Sequence, residues 1–522
     1  MKAIARWTPA FLFLSSTAWA ATYEVGPGKT YATIGAVPWA TLAPGDEVLI
    51  YWRASAYQEK WVICRQGTQP APIVVRGILG PGGERPVIDG ANAVTAPGLN
   101  YWNEDRGVLK IGGANTPADL TPAYITVENL EIRSARPPYT FTDDGGSSGS
   151  YLNNAAAIYI EKGDHIIVRN CVFHDCGNGF FCASGTSDLL VEGCYIYDNG
   201  NSGSIYEHNN YTEANGITFQ FNRFGPLRAG CPGNNLKDRS AGCVIRFNWI
   251  EGGNRQLDLV DSSALYTDPK YGATYVYGNI LIEPDGAGNS QIVHYGGDSG
   301  VTAEYRQGTL YFYNNTVVSL RSGNTTLLRL STNAESADCR NNIVYVTAAG
   351  SALAMLDADG MLTMRNHWMK AGWVDSHSGL TGTITDNGGH VTGTSPGFVD
   401  EPGQDYHLAS ESGCVDGAAA LATAVLPTYD VVSQYVTHQS GQARPVVATR
   451  DLGAFEYGVA APPPPAPPPS SNPGGGGGGG CGLLGIEPLL LYLIVPFLRR
   501  SRIAAATVGW RRDPPWKTRS SS

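Results

Sequence analysis

The tripeptide Arg246-Phe247-Asn248 is one copy of a short motif that recurs along most of the chain and indicates its architecture. Each copy closes a short, β-rich segment. The copies are Val127-Glu128-Asn129, Val168-Arg169-Asn170, Gln220-Phe221-Asn222, Arg246-Phe247-Asn248, Tyr277-Gly278-Asn279, Tyr313-Asn314-Asn315, Arg340-Asn341-Asn342 and Met364-Arg365-Asn366, with Val191-Glu192-Gly193 as a ninth copy ending in glycine. Successive spacings are 41, 23, 29, 26, 31, 36, 27 and 24 residues.

This spacing predicts a solenoid, because repeats of about 20–50 residues are typical of stacked coils. Short β-rich repeats of variable length favour a parallel β-helix, with coils about 4.8 Å apart and loops inserted on one face. Propeller blades are longer and more regular. Asparagine suits the bend and can align into a ladder of amides. The position three residues before each motif end is mostly apolar and is predicted to point inward: Thr126, Ile167, Leu190, Phe219, Ile245, Val276, Phe312, Cys339 and Thr363.

Composition agrees with an all-β chain. The 522 residues are only 16% charged and include 65 glycines, which argues against a helical bundle, a coiled coil or a charge-rich disordered protein. Residues 21–458 hold 27 cations and 44 anions. A body this acidic is a poor partner for nucleic acid, so we expect none.

The two ends of the chain predict export. Residues 1–20 read as a signal peptide, with Lys2 and Arg6 before a short apolar stretch and Ala18-Trp19-Ala20 as the cleavage site. Residues 21–458 form the body. Residues 459–480 are a linker rich in proline and glycine, 481–502 an apolar segment with a basic cluster, and 503–522 a basic tail.

Residues 474–502 resemble the bacterial C-terminal sorting signals called GlyGly-CTERM and MYXO-CTERM. The resemblance implies cleavage by a membrane sorting protease and release to the cell surface, the outer membrane or the medium. A permanent single-span transmembrane helix is the alternative, although the apolar run from Leu483 to Leu498 is short for that role. Cys481 lies at its start.

Nine cysteines lie in the body, an odd number, so at least one stays unpaired unless it pairs between chains. Disulfides are permitted outside the cytoplasm. Cys231 and Cys243 bracket one loop and are the predicted disulfide. Cys171 and Cys194 occupy equivalent repeat positions and are interpreted as stacked, buried thiols.

With these repeats, the chain resembles the right-handed parallel β-helix proteins of the pectate-lyase-like superfamily. The resemblance spans about residues 22–458 and includes Gly26–Ile34 at the start and Asp451–Glu456 at the end. It implies a right-handed, single-stranded parallel β-helix. For activity it is weak, because this fold carries lyases, hydrolases and adhesins.

Four polar segments interrupt the pattern between residues 208 and 297, and they resemble segments of a polysaccharide-degrading subgroup of that superfamily. The segments are His208-Asn209-Asn210-Tyr211, residues 234–240, residues 257–263 and His294-Tyr295-Gly296-Gly297. Asp238 departs from the subgroup, which more often has a small polar residue there. Elements one repeat apart stack on one face of a solenoid. We therefore predict one stripe formed by Tyr211, Lys237, Arg239, Asp261, His294 and Tyr295.

The chemistry predicted for this stripe is β-elimination on a uronate-containing polysaccharide. Residues 228–255 hold five cations and two anions, which suits an anionic glycan. Lys237 is the predicted base, with its pKa lowered by Arg239 and burial, and Arg239 pairs the substrate carboxylate. Tyr211 or His294 protonates the leaving oxygen. The predicted substrate contacts are His208, Arg255, Tyr295 and Asp261, and the possible ligands of a calcium ion are Asp258 and Asp261.

Two other functions fit the sequence. A glycoside hydrolase would use Asp258 with Asp261, or Asp238 with either, as an acid–base pair. A non-catalytic surface adhesin would bind glycan without cleaving it. Structural roles also account for each residue singly, for example Lys237 and Arg239 anchoring a loop. We expect a monomer whose partners are the polysaccharide and the sorting protease.

Overall fold

The computed structural model covers residues 20–459, which consist almost entirely of β-strands and turns. The predicted signal peptide, linker, sorting segment with Cys481, and basic tail lie outside these residues, apart from residues 20 and 459. Within the described part of the chain, no helix is long and apolar enough to cross a membrane. Its helices are short 3-10 turns: Ile34–Ala36, Glu104–Arg106, Pro269–Gly272, Thr302–Glu304 and Thr423–Val425.

Two long sheets form the body, and their strands pair almost entirely in parallel. The larger sheet contains Thr22–Val25, Glu47–Tyr51, Glu59–Ile63, Ile73–Ile78, Ala93–Thr95, Gly107–Ile111, Ala123–Glu128, Thr140–Thr142, Ser148–Ser150, Ala156–Arg169, Asn178–Glu192, Asn210–Gln220, Leu236–Asp238, Ala241–Arg246, Leu257–Leu259, Ala273–Tyr277, Gln291–Tyr295, Thr309–Tyr313, Thr325–Leu330, Ser336–Arg340, Leu353–Leu356, Met361–Arg365 and Thr383–Asp386. The smaller sheet contains Val87–Asp89, Glu131–Arg133, Val172–His174, Tyr195–Ile196, Arg223–Phe224, Trp249–Glu251, Ile280–Glu283, Thr316–Ser319, Ile343–Val346, Trp368–Lys370 and Val391–Gly393. Short antiparallel pairs are Asn100–Tyr101 with Ala114–Thr116, Phe398–Asp400 with Asp405–Leu408, and Ser433–Val436 with Ser440–Ala443.

Each coil contributes up to three strands, and each strand pairs with its equivalent in the next coil. In one coil these are Leu236–Asp238, Ala241–Arg246 and Trp249–Glu251. They pair in parallel with Leu257–Leu259, Ala273–Tyr277 and Ile280–Glu283, respectively. The prediction of a single-stranded parallel β-helix is confirmed.

The core runs along the inside of the coil. In four of the nine copies, the residue that points inward is one position later than predicted. The fully buried column is Val127, Val168, Val191, Phe219, Ile245, Val276, Phe312, Cys339 and Met364. Five of the nine predicted positions are right. Thr126, Ile167, Leu190 and Thr363 instead precede the inward residue and point to the other face, because side chains alternate along a strand.

The mismatch arises because the motif asparagine occupies two different positions. Asn129, Asn170 and Asn366 adopt the left-handed conformation at the bend, with φ of 60°, 53° and 48°. In two other copies, Phe221 and Phe247 adopt the left-handed conformation, and the motif asparagine is the next residue. The sequence motif therefore marks the bend without fixing the register.

The second of these positions forms the predicted ladder of amides. Asn222, Asn248, Asn279, Asn315 and Asn342 are fully buried, and Nδ2 of each of the first four donates to Oδ1 of the next asparagine at 3.0–3.1 Å. Each Oδ1 beyond the first also accepts the backbone N–H of the preceding asparagine. The ladder satisfies polar groups at a corner where the strands end.

His367 continues this ladder at its C-terminal end. Nδ1 of His367 accepts the backbone N–H of Asn342 at 3.1 Å, and the backbone N–H of His367 donates to Nδ1 of His390 at 3.0 Å. Burial, together with His390, lowers the pKa of His367 to about 3. The imidazole is therefore neutral in the folded protein at neutral pH.

The disulfide predicted between Cys231 and Cys243 is not formed, and both thiols are free. Cys243 points into the core from strand Ala241–Arg246, whereas Cys231 lies in a loop beside Ser204 and Glu207. The two cysteines flank one segment of sequence but face different surroundings. Cys171 and Cys194 are buried, free thiols on adjacent coils, as expected.

The ladder makes Asn279→Ala a strongly destabilising change. The substitution removes three bonds donated by Nδ2 and two accepted by Oδ1, and it leaves the buried backbone N–H of Asn248 without its acceptor. We expect a loss of about 3 kcal/mol in the free energy of unfolding, measured by urea denaturation. The control Asn387→Ala alters an exposed asparagine and should change stability by less than about 0.5 kcal/mol. Equal losses in both variants would contradict a structural ladder.

The lowered pKa of His367 predicts that the free energy of unfolding falls at acidic pH. An unfolded histidine binds a proton below about pH 6.5, whereas folded His367 does so only near pH 3, so the unfolded state gains stability as the pH falls between these values. At pH 5 this amounts to about 2 kcal/mol. His367→Asn keeps an acceptor in the ladder and should reduce the loss of stability between pH 7 and 5 by about that amount in urea titrations. An unchanged pH dependence would show that His367 does not carry it.

Candidate functional site

One column of side chains on the outer face of the larger sheet contains most of the polar candidates. Tyr211, Lys237, Asp258 and His294 pair in strict register on successive coils, about 4.8 Å apart. They project outward because the residues on either side of Lys237, Asp258 and His294, such as Leu236 and Leu257, point into the core. Stacking is thus confirmed for Tyr211, Lys237 and His294, but Asp258 takes the place in the column that was predicted for Asp261.

Lys237 lies between two carboxylates. Its Nζ is 2.5 Å from Oδ2 of Asp258 and 2.6 Å from Oδ2 of Asp298, and only 8% of its side chain is exposed. Burial alone would lower the pKa of Lys237, but the two carboxylates outweigh burial and raise it. Lys237 is an ammonium ion at neutral pH, so its predicted role as a base with a lowered pKa is wrong.

Arg239 joins Tyr211 to the same carboxylate. Its Nε donates to Oη of Tyr211 at 2.8 Å, and its Nη2 donates to Oδ1 of Asp298 at 2.8 Å. The two oxygens of Asp298 therefore bridge Arg239 and Lys237. Burial would raise the pKa of Asp298, but Lys237 and Arg239 hold it at about 2.

Asp258 is a buried, ionised carboxylate with three hydrogen-bond donors. Besides Lys237, these are Nδ2 of Asn234 at 2.7 Å and Nδ1 of His294 at 2.8 Å. Burial favours the neutral acid, yet Lys237 and His294 hold the pKa of Asp258 well below its ordinary value.

His294 connects Asp258 to Ser331. The other ring nitrogen, Nε2, is 2.9 Å from Oγ of Ser331. Burial lowers the pKa of His294 below its ordinary value, against the opposing effect of Asp258. The ring is therefore neutral at neutral pH and donates its Nδ1 proton to the ionised Asp258.

Asp261 lies outside the column and shapes a loop. Its Oδ1 accepts the backbone N–H groups of Asp298 and Ser299 at 2.8 and 3.3 Å, and it contacts Arg239. It is buried, so it acts on the site through Asp298 and not as the predicted substrate contact.

The side chains do not fit the predicted calcium site. The oxygens of Asp258 are held by cationic or N–H donors, and Oδ1 of Asp261 accepts two backbone N–H groups and lies 3.4 Å from Arg239. Calcium needs six to eight oxygen ligands. Within residues 20–459, the one cluster of three or more acidic, histidine or cysteine residues at ligand spacing is Asp164, His165 and Asp188, outside the column.

The other three predicted substrate contacts are His208, Arg255 and Tyr295, and each contacts other residues of the protein. His208 is buried, stacks on Tyr211 and accepts the N–H of Asn234 at 3.0 Å; burial and Lys237 lower its pKa to about 3. Arg255 lies at the edge of the column, with Nη1 3.9 Å from Asp258. Tyr295 points into the core and is fully buried, so its prediction as a substrate contact is wrong.

The predicted basic cleft is also corrected. Arg228 pairs with Asp175 and Asp198 in a different surface pocket, and Arg246 binds Gln220 and Tyr277 on another side of the coil. Of the five cations of residues 228–255, Lys237 and Arg239 lie at the column and are held by acids, and Arg255 lies at its edge.

Asp298 and Ser331 are functional candidates that sequence analysis missed, whereas Asn234 stood in a polar segment without an assigned role. Asp298 follows directly after the Tyr295-Gly296-Gly297 segment, so an inspection of that segment one residue further would have found it. Ser331 lies beyond the last polar segment and carries no sequence signal of its own. It follows strand Thr325–Leu330, which brings it beside His294.

Comparison with known families agrees with the fold. Residues 123–317 match the family described as "Right handed beta helix region". These coils form a right-handed β-helix. A search of curated proteins found no match.

Solved structures similar to this β-helix have low sequence identity. The pectate lyase Pel9A is 14% identical, with a TM-score of 0.46, and the match covers 84% of this chain and 97% of the lyase. An alginate lyase from Paenibacillus sp. str. FPU-7 is 14% identical, with a TM-score of 0.39 and coverages of 66% and 99%. A lacto-N-biosidase from Eubacterium ramulus is 12% identical, with a TM-score of 0.40 and coverages of 71% and 68%.

The buried pair of Lys237 and Asp258 yields a stability prediction. Lys237→Met leaves the buried carboxylate without its closest cation and should lower the free energy of unfolding by about 3–5 kcal/mol. Adding Asp258→Asn should recover part of this loss, which a double-mutant cycle measures by urea denaturation. Asp298→Asn, at the partly exposed partner, is the matched control and should cost much less. Additive losses in the cycle would contradict a direct interaction.

Proposed function

We propose that the protein is a polysaccharide lyase that cleaves an anionic, uronate-containing polysaccharide by β-elimination. The observation that carries this proposal is the bridging of Lys237 and Arg239 by the carboxylate of Asp298. Two cations that bind one carboxylate can neutralise the carboxylate of a uronate, which elimination requires. Neutralising the sugar carboxylate makes the proton on the adjacent carbon acidic.

In this proposal Asp298 occupies the place of the substrate carboxylate. It belongs to the loop around Gly296–Gly300, and its side chain is 35% exposed, whereas those of Lys237 and Arg239 are 8% and 18% exposed. A uronate that displaces Asp298 takes over both hydrogen bonds. Arg239 already presents Nε and both Nη groups to oxygens, so its orientation is fixed before substrate binds.

Tyr211 is assigned the proton transfer. Its phenolic oxygen accepts a hydrogen bond from Nε of Arg239 at 2.8 Å, and Tyr211 pairs in register with Lys237 on the next coil. The phenolate removes the proton next to the carboxylate, and the electron pair forms the new C=C bond. The glycosidic C–O bond breaks, and the resulting phenol protonates the leaving oxygen.

Further cations along the same face support binding of a polymer. Arg106 lies over the rings of Tyr159 and Phe181, at 4.7 and 4.9 Å from their centroids, and its Nε has no hydrogen-bond partner within residues 20–459. Phe181 and Lys237 are two coils apart on the column, about 10 Å. A chain of uronates that runs along the solenoid would meet cations at both places.

A glycoside hydrolase that uses paired aspartates is less well supported. Asp238 points inward and is fully buried in an ion pair with Arg306 at 3.2 Å, so it cannot flank a glycosidic bond. Asp258 is ionised and held by donors, so it has no proton for a leaving group.

Location and partners extend the proposal. Export through the signal peptide, display at the surface after cleavage by a sorting protease, and a monomeric state follow from the sequence interpretation. The terminal segments that motivate export and cleavage lie outside the described residues.

The lyase proposal is tested by the near-UV absorbance of the unsaturated product on polyuronates. Tyr211→Phe should reduce turnover about 10²–10⁴-fold while binding persists, because it removes the proton-transfer group. Asp298→Ala should lower KM, because it removes a competing carboxylate. Arg246→Ala, an arginine on another side of the coil, is the control and should keep wild-type turnover.

Other outcomes separate the alternatives. New reducing ends without unsaturated product would identify a hydrolase, and glycan binding without any cleavage would identify an adhesin. Full turnover in Tyr211→Phe would overturn its assigned role.

A further inference from the structure

Ser331, His294 and Asp258 form a chain of two hydrogen bonds that has no role in the proposed elimination. Oγ of Ser331 is 2.9 Å from Nε2 of His294, and Nδ1 of His294 is 2.8 Å from Oδ1 of Asp258. Ser331 is partly exposed, whereas His294 and Asp258 are buried behind it. The order is that of a nucleophile, a base and the acid that orients the base.

The protonation states suit this order. Asp258 is ionised, because Lys237 and Asn234 also donate to it, so it accepts the Nδ1 proton of His294. Nε2 then carries the lone pair. The single hydroxyl proton of Ser331 has Nε2 as its nearest acceptor at 2.9 Å, against 3.0 Å for the carbonyl of Gly297 and 3.4 Å for that of Tyr295.

The backbone around Ser331 is built to accommodate it. Gly296 adopts φ of +133°, and a Cβ there would lie 2.5 Å from Oγ of Ser331. The N–H of Gly297 donates to Oγ at 2.8 Å and fixes the hydroxyl against the ring. Any larger residue at position 296 would push Ser331 away from His294.

We propose that Ser331 and His294, positioned by Asp258, form a serine-esterase site for carboxylic esters carried by a polysaccharide. Oγ attacks the ester carbonyl while His294 takes its proton. The tetrahedral intermediate expels the alcohol, which receives that proton, and leaves an acyl group on Ser331. Water activated by His294 then hydrolyses the acyl-enzyme and restores the serine.

Two arginines lie close to this serine, histidine and aspartate. Arg329 pairs in register with His294 on the next coil and is exposed, and Arg255 borders Asp258 with its Nε unpartnered within the described residues. A guanidinium beside a tetrahedral oxyanion stabilises it. This activity stands independently of the proposed elimination, with which it shares only Asp258.

The test uses a fluorophosphonate probe and p-nitrophenyl acetate on the full chain. We expect a phosphonyl adduct on the peptide that contains Ser331, found by mass spectrometry, and release of nitrophenol. Ser331→Ala should abolish the adduct and lower kcat/KM about 10³-fold. Ser299→Ala changes a neighbouring loop serine and is the matched control, which should keep both signals. An unlabelled wild type, or one whose nitrophenol release equals that of Ser331→Ala, would overturn the proposal.

Esterified polymers then identify which kind of ester the protein hydrolyses. Methanol released from a methyl-esterified polyuronate identifies a uronate ester, and acetate released from an O-acetylated one identifies a sugar acetate; release of neither overturns the polysaccharide assignment. The lyase readout is separate, because unsaturated product is measured on a de-esterified polyuronate. Either activity can therefore fail without the other.

Discussion

Parallel hydrogen bonding between coils is the constraint on which the rest of this molecule depends. Each strand pairs in register with its equivalent in the next coil, so a side chain on one coil lies about 4.8 Å from its counterpart on the next. The same rule that stacks valine and phenylalanine inside also stacks Lys237, Asp258 and His294 outside. The asparagine ladder at the corner satisfies the backbone there and holds the coils in this register.

Charge balance dominates the outer column. Lys237 and Arg239 would repel each other without the acids beside them, and Asp258 would be costly to bury without its donors. The structure resolves this with Asp258 behind Lys237 and Asp298 across both cations. Of the two acids, Asp298 is the more exposed and belongs to a loop, so in the proposed elimination a substrate carboxylate replaces it at little cost to the fold.

The two proposed chemistries divide the column at Asp258. In the two proposals, Tyr211, Lys237 and Arg239 act on a uronate carboxylate on one side of Asp258, and His294 and Ser331 act on an ester on the other. An esterified uronate has no negative charge for Lys237 and Arg239 to grip, so removal of the ester creates the group that elimination needs. Neighbouring sites for both steps on one face suit a polymer that is partly esterified.

The sequence by itself determined the solenoid, the bend motif, the ladder and the face on which Tyr211, Lys237 and His294 lie, because repeat spacing and coil stacking are properties of the chain. It did not determine which of two adjacent residues points inward, since side chains alternate and a shift of one residue exchanges the faces. For that reason Tyr295 was placed outside. Asp261 was predicted in place of Asp258 because the next coil begins 21 residues after Lys237, sooner than the sequence spacing suggested. Only the tertiary structure brought in Asp298 and Ser331, because they reach the site from a loop and from the next coil. It also decided that Lys237 is charged, since its two acid partners are 21 and 61 residues away in sequence.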